Sequence, residues 1–581
     1  MLLRDPDLAD PEDWPVLFAK ILSALETAAG LPNLGQTFTK AQFKDGLYTV
    51  LLLETSHPNF SLDCTKYICA YLNNNDEDSI QTIAKALIKT VPKQFLISTN
   101  FRHLLRAASN LKIPFTILNE TDVLLGWGRR SRIMHSSSTE RTSGLSIKLA
   151  RDKYKTCKFL KHCDIPVPVQ RNVRNLGEAL VAAREIGFPI VVKPRSSDGG
   201  AGVTTNISST IDIEQAFNLA AAEGGGVLVE RYVLGREYRL LVVNGKLLSC
   251  HERIPARVIG NGKDTISSLI AQENERRRQV RKNAFSDIPI SIGNDTAFCL
   301  ERQGLHLEAI PTNGTAVRVR MVPKVQTGGE VEVVNIASVS PQLRQDVEKA
   351  ARMMRLDIAG IDAISVTQSH PYSGTKWVIT EVNAIPQINR FKELEIHDAF
   401  LKAAAPNAGR VASLLMTDTS LQGVAQLQAI LAAARSKGIG VGLKVENEEQ
   451  ERKFAGKALV VTRQQKMLSI IGDQKVDCII ALQKPEDIFQ NGLILPYFDG
   501  VLLSATQNDD LQQIISHTLF QHNLGEIIYQ ESTLDLDRFR QVYEQNRLKS
   551  YSSQNEVVKL AISILEQKAL AEQSASVPTD Y

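Results

Sequence analysis

The sequence predicts a multidomain protein of α/β and α+β architecture, and three patterns carry that expectation. Up to residue 135, apolar runs of helical and strand spacing alternate. From there to about residue 406, short apolar runs are joined by Gly-rich or polar turns, the mark of antiparallel hairpins. Beyond Arg410, short strand-like runs are separated by helical stretches, as in a parallel sheet. A chain of 581 residues also exceeds what one hydrophobic core supports. The expected divisions are 1–135, a small α/β domain; 136–406, an α+β centre; 407–570, a Rossmann-like parallel α/β domain; and 571–581, a disordered tail.

In the first domain, Leu17–Gly30 and Ile80–Val91 have helical apolar spacing, and Leu47–Thr55 reads as a buried strand. Phe95–Thr99 and Ile113–Glu120 follow as strands with a helix between them. The run HSSSTERTSGLS (His135–Ser146) reads as a loop or mobile linker on composition. In the centre the strands are IVVKP (Ile190–Pro194), GVLVERYV (Gly226–Val233), EYRLLVVNGKLLS (Glu237–Ser249) and AVRVRMV (Ala316–Val322). The last domain offers strands at Val411–Thr417, Gly438–Val445, Asp477–Gln483 and Asp499–Ala505, with a helix at Gly423–Lys437.

Composition narrows the function classes. A formal net charge of +3 over 581 residues argues against a nucleic-acid partner. The basic run ERRRQVRK (Glu275–Lys282) is read as a solvated helix face in preference to an anion site. Seven cysteines without CxxC spacing indicate reduced thiols, not a disulfide frame or zinc site. No run approaches 18 apolar residues, and the acidic start MLLRDPDLADPEDWP is unlike a signal peptide. A cytoplasmic, soluble protein without a membrane partner is expected.

The most informative segment is Asp357–Gln387. Ile358–Val366 and Trp377–Asn383 read as strands around a polar loop, Thr367–Lys376. With Val366 opposite Trp377, counting along the ladder sets Asp362 opposite Glu381, and alternation puts Asn383 on the face of Glu381. Facing carboxylates weaken a hairpin. A divalent cation between them removes the repulsion, and carboxylates plus substrate phosphates are what Mg²⁺ favours. The same pattern also suits the polar, solvent-facing side of an ordinary sheet.

Other polar groups follow an order. Lys153 opens a helix, and Lys193 ends a buried strand. Gly199, Gly200 and Gly202 then form a turn whose backbone can approach phosphate, leading into a strand as a hairpin flap would. Glu230 suits an adenine amino group, the peptide groups after it (Val233) suit the ring, and Glu237 suits ribose hydroxyls. Each carboxylate taken alone is more often simply solvated.

That order, ending in Asp…Glu-x-Asn, resembles the ATP-grasp superfamily of ADP-forming carboxylate–amine ligases, and within it the cyanophycin synthetase family. The resemblance runs through LNE…LGWGRR (Leu118–Arg130), TSGLSIKLARDK (Thr142–Lys153), VLVERYVLGREYRLLVVNGKLL (Val227–Leu248) and HERIPARVIGNGKDTISSLI (His251–Ile270). It continues in QTGG (Gln326–Gly329), LDIAGID (Leu356–Asp362) and EVNAIP (Glu381–Pro386). It implies an ATP-grasp fold for 136–406, with Lys153 and Lys193 on ATP phosphates, Glu230 and Val233 at adenine and Glu237 at ribose. Asp362, Glu381 and Asn383 would hold two Mg²⁺ ions. Arg320 would act with Lys193 on the transferring phosphoryl group or bind a substrate carboxylate, and Arg239 matches a family position without an assigned role.

The departures from the family are also informative. Gly199 and Ala201 stand where its turn has His and Arg, Lys148 where it has a carboxylate, Gln326 where it has Ser and Lys324 where it has Asn. These positions surround the acceptor site and not the nucleotide, which implies the same reaction on a different substrate. Residues 411–505, within the domain 407–570, are similar to the start of a Mur-ligase module, but MTDTSLQG (Met416–Gly423) replaces its phosphate-binding loop. With no lysine for the phosphates, that region is expected to be degenerate and not to bind ATP. The expected activity is ATP-dependent amide or peptide ligation of an amino acid or short peptide. The protein would work as a homo-oligomer or beside a separate partner ligase.

Overall fold

The computed structural model describes residues 99–119, 121–196, 201–279, 288–323, 327–366, 377–388, 394–462, 466–491, 493–503, 523–530 and 547–570, with Leu22, Gln36–Phe43 and Gly46–Leu53. Two compact units emerge: His135–Ala404, and Met1–Met134 together with Ala405–Tyr581. No described helix is long and apolar enough to cross a membrane. The expected helices Leu17–Gly30 and Ile80–Val91, the loop Thr367–Lys376 and the tail 571–581 fall outside the described residues, save Leu22. Thr99, expected to end a strand, opens the helix Thr99–Asn110.

The unit His135–Ala404 is built on two antiparallel sheets, as the turn-joined strands predicted. The larger runs in the order Glu330–Val334, Lys246–Ile254, Gly235–Val243, Ile358–Val366, Trp377–Asn383. Leu240, Val242, Ala359, Ile361, Ala363 and Val382 bury one face against Val347, Ala350 and Ala351 of the helix Pro341–Met353. The smaller runs Gln170–Val173, Val227–Arg231, Ile190–Pro194, Thr204–Ile207. It packs on the helices Leu176–Ile186 and Ile213–Ala222 through Val192, Val229, Ala183 and Ala216. A third apolar cluster gathers Val258, Ile266, Ile270, Leu300 and Val317.

Two readings of the sequence need correction here. The stretch His135–Ser146 is packed and not a mobile linker: Ser138–Thr139 is a strand, Gly144–Arg151 a helix, and Ser137, Ser138, Thr139, Thr142 and Ser146 are buried. Its hydroxyls satisfy interior acceptors, Thr139 and Thr142 donating to the Asp357 carboxylate and Ser137 to the Pro386 carbonyl. Nor is the basic run wholly solvated. Arg277 is 1% exposed; it pairs with Glu273 at 2.8 Å and donates to the carbonyls of Ile288 (2.9 Å) and Gly328 (2.8 Å). Arg276 and Arg278 do face outward and pair with Glu273 and Glu275 on their own helix.

The second unit contains a seven-stranded sheet in the order Leu459–Val461, Val441–Lys444, Cys478–Leu482, Ala412–Met416, Phe498–Leu503, Asn523–Gln530, Leu548–Tyr551. Every pairing is parallel. Both faces are apolar, as parallel sheets require. Leu414, Ile480 and Leu502 meet the helices Leu421–Ser436 and Gln554–Leu570 on one side. Leu415, Ile479 and Val501 meet Ile470, Ile488, Leu124 and Trp127 on the other. The LGWGRR run belongs to this packing. A Cβ on Gly126 would stand 2.3 Å from the Gly409 carbonyl oxygen, and one on Gly128 2.3 Å from that of Val476, both glycines having positive φ. In MTDTSLQG, Ser420 caps the helix by accepting from the Gly423 amide, while Asp418 accepts from the Ser420 amide at 2.9 Å.

Candidate active site

Two lysines are brought in from different elements. Along Ile190–Pro194, Ile190 and Val192 take the helix-covered face, so Lys193 takes the other. On the neighbouring antiparallel strand Lys193 lies opposite Leu228 and Glu230 opposite Val191, which makes Lys193 and Glu230 diagonal neighbours on one face. Their ion pair is 2.8 Å long and both are buried. Lys153 starts the helix Lys153–His162, whose N-cap Asp152 accepts from the Lys155 amide at 3.1 Å. Asp152 also takes the Arg195 fork at 2.9 and 2.6 Å, and the Lys153 amide donates to the Arg195 carbonyl at 3.2 Å. The acid of the Asp-Lys pair therefore ties the helix start to the end of the strand bearing Lys193. The Lys153 ammonium stands 3.6 Å from Glu381.

Glu381 belongs to a polar, largely buried row on the face of the five-stranded sheet opposite the helix Pro341–Met353. His251 faces Arg239, Arg239 faces Asp362, and Asp362 faces Glu381. Asn383 faces Gly360 one step along. Beside this row Arg253 faces Glu237. The expected pairing of Asp362 with Glu381 is thus present, but not by the expected count. At the loop end Ser365, not Val366, lies opposite Trp377, and the ladder shifts by one residue between Asp362 and Ala363. Thr380 is the extra residue, a β-bulge. It lets Trp377, Ile379 and Val382 all enter the core, which strict alternation forbids, and still turns Glu381 to the polar face.

Asp362 is held by two arginines, Arg239 at 2.8 Å and Arg253 at 3.3 Å. Comparison with known proteins meets the same stretch of chain. Residues 152–246 match the family model described as carbamoyl-phosphate synthase L chain, ATP binding domain. The chain carries an ATP-grasp domain. Cyanophycin synthetase of Geminocystis herdmanii is 30% identical over 372 residues, 62% of this chain and 42% of that protein. Cyanophycin synthetase of Trichormus variabilis is 33% identical over 286 residues, 49% of this chain and 32% of that protein. The glutathione biosynthesis bifunctional protein GshAB of Streptococcus agalactiae serotype V is 30% identical over 271 residues, 45% of this chain and 36% of that protein. The chain spans less than half the length of each of these relatives.

The charges of the ATP-grasp domain are tuned by their neighbours. Burial favours neutral Lys193, yet Glu230 beside it prevails and holds the ammonium above the usual lysine range. Burial raises Glu381, and the facing Asp362 adds to the rise. Burial would raise Asp362 as well, but Arg239 and Arg253 outweigh it and keep this carboxylate below its ordinary range. Glu237 is pushed up to about 7 by burial and by Asp362. His251 is pushed down to about 4 by burial and by Arg253. Burial lifts Cys157, packed near Lys193 and Glu230, to about 12, so it is a packing thiol and not a nucleophile.

The arrangement suits Mg²⁺. Asp362, Glu381 and Asn383 offer hard oxygen donors on one face, and the Asn383 amide nitrogen, 3.4 Å from the Gly360 carbonyl, leaves its oxygen to accept. Among the described residues no three His, Cys, Asp or Glu side chains gather, so ligand phosphates would have to complete a coordination shell. Of the other expected residues, Val233 is buried just after Glu230, and Gly202 has φ +65 shortly before the strand Thr204–Ile207. Gly199 and Gly200 lie outside the described residues. Arg320 is buried and turned onto Ser291, donating to its carbonyl at 2.6 Å and its hydroxyl at 2.5 Å. Arg253, Arg195 and the partner of Arg239 escaped the sequence reading. The alternation Glu237/Arg239 and His251/Arg253 in two adjacent strands was the available signal.

Proposed function

We propose that the protein is an ATP-dependent, ADP-forming ligase that joins a carboxylate to an amine through an acyl phosphate, acting on an amino acid or short peptide. The observation carrying this reading is Asp362 opposite Glu381, with Asn383 on the same face and Lys153 within ion-pair distance. Lys153 and Lys193 hold phosphates, and Gly199, Gly200 and Gly202 cover them. Glu230 and Val233 take adenine, and Glu237 takes ribose. Asp362, Glu381 and Asn383 would hold two Mg²⁺ ions, which supply neutralisation of phosphate charge when bound. Lys193 exchanges Glu230 for a phosphate oxygen, which frees Glu230 to accept from the base. Lys193 and Arg320 then offset charge on the transferring phosphoryl group, the lysine kept cationic by its surroundings.

The names of the curated relatives, cyanophycin synthetase and a glutathione biosynthesis protein, fit an amino acid or peptide substrate. In this reading the chain has three domains, 1–135, 136–406 and 407–570, the last a degenerate Mur-ligase-like module. Without a second nucleotide site the enzyme makes one kind of amide bond, as a homo-oligomer or with a separate partner ligase. A second reading, a non-catalytic binding or assembly subunit, draws on the ion pairs of Lys193 with Glu230 and Arg239 with Asp362, which satisfy one another without ligand. ADP release with Mg²⁺·ATP over the standard amino acids, singly and in pairs, separates them. Release that depends on one carboxylate and one amine supports the ligase. ATP binding without release under any pair supports the subunit.

A further inference from the structure

We propose that Arg253 is an exchangeable cation of the nucleotide site: it neutralises Asp362 in the absence of nucleotide and transfers to a phosphate oxygen when a divalent cation binds Asp362. The proposal rests on the ligase reading above and names a residue that reading leaves unassigned. The two arginines on Asp362 are built differently. Arg239 lies directly opposite Asp362 on the adjacent strand, 2.8 Å from Oδ1, with its side chain only 13% exposed. Its guanidinium rests over Gly360, where a Cβ would stand 2.9 Å from Cζ and 2.9 Å from Nη2. A Cβ there would also meet Pro386 at 2.7 Å. Gly360 is a seat, and Arg239 is fixed in it.

Arg253 comes from one strand further away and reaches past the strand of Arg239 to Oδ2, 3.3 Å off, with its side chain 32% exposed. It sits opposite Glu237, which places it between that carboxylate and Asp362. A longer, wetter contact holds more loosely than a short buried one. A divalent cation on Asp362 would be repelled by both guanidiniums, and only Arg253 has room to leave. Its planar fork matches a phosphate edge, so the cation displaced from the carboxylate becomes a donor to the anion arriving with the metal. The exchange makes metal and nucleotide binding interdependent. A permanent strut would not.

The test compares the full chain with Arg253→Met, using Mn²⁺ and the non-hydrolysable nucleotide AMP-PNP, free Mn²⁺ being counted by electron paramagnetic resonance and nucleotide affinity by calorimetry. Loss of one charge-assisted contact is expected to tighten Mn²⁺ binding without nucleotide about tenfold and to weaken AMP-PNP binding with Mn²⁺ about tenfold. Arg253→Lys should recover part of both effects. Unchanged Mn²⁺ affinity in Arg253→Met, or unchanged AMP-PNP affinity, overturns the proposal. If the wild-type chain binds no Mn²⁺·AMP-PNP, the nucleotide reading itself fails, and this proposal with it. Should Arg253→Met not fold by thermal melting, Arg253→Gln carries the same comparison.

Discussion

The two large sheets of this chain treat their faces in opposite ways. In the antiparallel sheet one face is buried on helices, and the other displays His251, Arg239, Asp362 and Glu381 in a single row. In the parallel sheet both faces carry apolar clusters, and several buried polar residues stand at strand ends. There Lys444, Thr417 and Gln483 are buried but answered by the chain itself. Lys444 reaches Asp487 at 3.6 Å, the Thr417 hydroxyl donates to the Leu502 carbonyl at 3.3 Å, and the Gln483 side-chain amide donates to the Asp487 carboxylate at 3.0 Å. Charge set across the strands of the antiparallel sheet gathers on one largely buried face, where Glu381 and Arg253 keep partial exposure. Charge gathered at the ends of a doubly covered sheet here serves cohesion.

The sharpest way to break this contrast is Glu381→Gln. ADP release should fall by at least about a hundredfold if the proposed ligase reading holds, since a proposed metal ligand is lost. The melting temperature should hold or rise, because repulsion with Asp362 is relieved. Undiminished release would remove Glu381 from the chemistry. Next in size, Lys193→Met leaves Glu230 buried without its ammonium and should cost about 3–5 kcal/mol in denaturant unfolding. The matching change Lys444→Met should cost about 1 kcal/mol, its partner Asp487 being wetter, and leave ADP release intact. Equal costs would erase the distinction drawn between the sheets.

Gly128→Ala tests the apolar side alone. A side chain at φ +56, against the Val476 carbonyl, should destabilise the second unit by roughly 1–3 kcal/mol without altering nucleotide affinity. The last test is one of pH. Glu237 has its pKa raised from 4.5 to about 7, so the folded state keeps a proton that the unfolded state has released. Its contribution is fully present below pH 4.5 and is lost as pH rises through 7. Wild type should therefore lose stability relative to Glu237→Gln across that window in paired chemical melts. Parallel curves would mean that the carboxylate is not desolvated.

Much of this was legible in the sequence because it depends on local periodicity. The strand bounds Ile358–Val366 and Trp377–Asn383 and the parallel character of the last sheet follow from local pattern. The facing of Asp362 and Glu381 matches the count only because the bulge at Thr380 offsets a one-residue shift at the loop end. What escaped depends on partners far along the chain. The serines and threonines of His135–Ser146 look like linker until Asp357 and Pro386 arrive as acceptors. Arg277 looks like one of a solvated trio until the Gly328 carbonyl covers it. Arg253 and Asp362 lie 109 residues apart, and no spacing rule joins them. The joining of the first 134 residues with those after 404 in one unit is likewise invisible to any local pattern.

The extra residue at Thr380 works as a phase shifter. Remove that single codon and every side chain from Glu381 to Asn383 would swap sides, burying the acid and amide and pushing Val382 into water. Residue 380 therefore sets the register by being present, and its hydroxyl adds a bond to the Asp362 carbonyl at 3.2 Å.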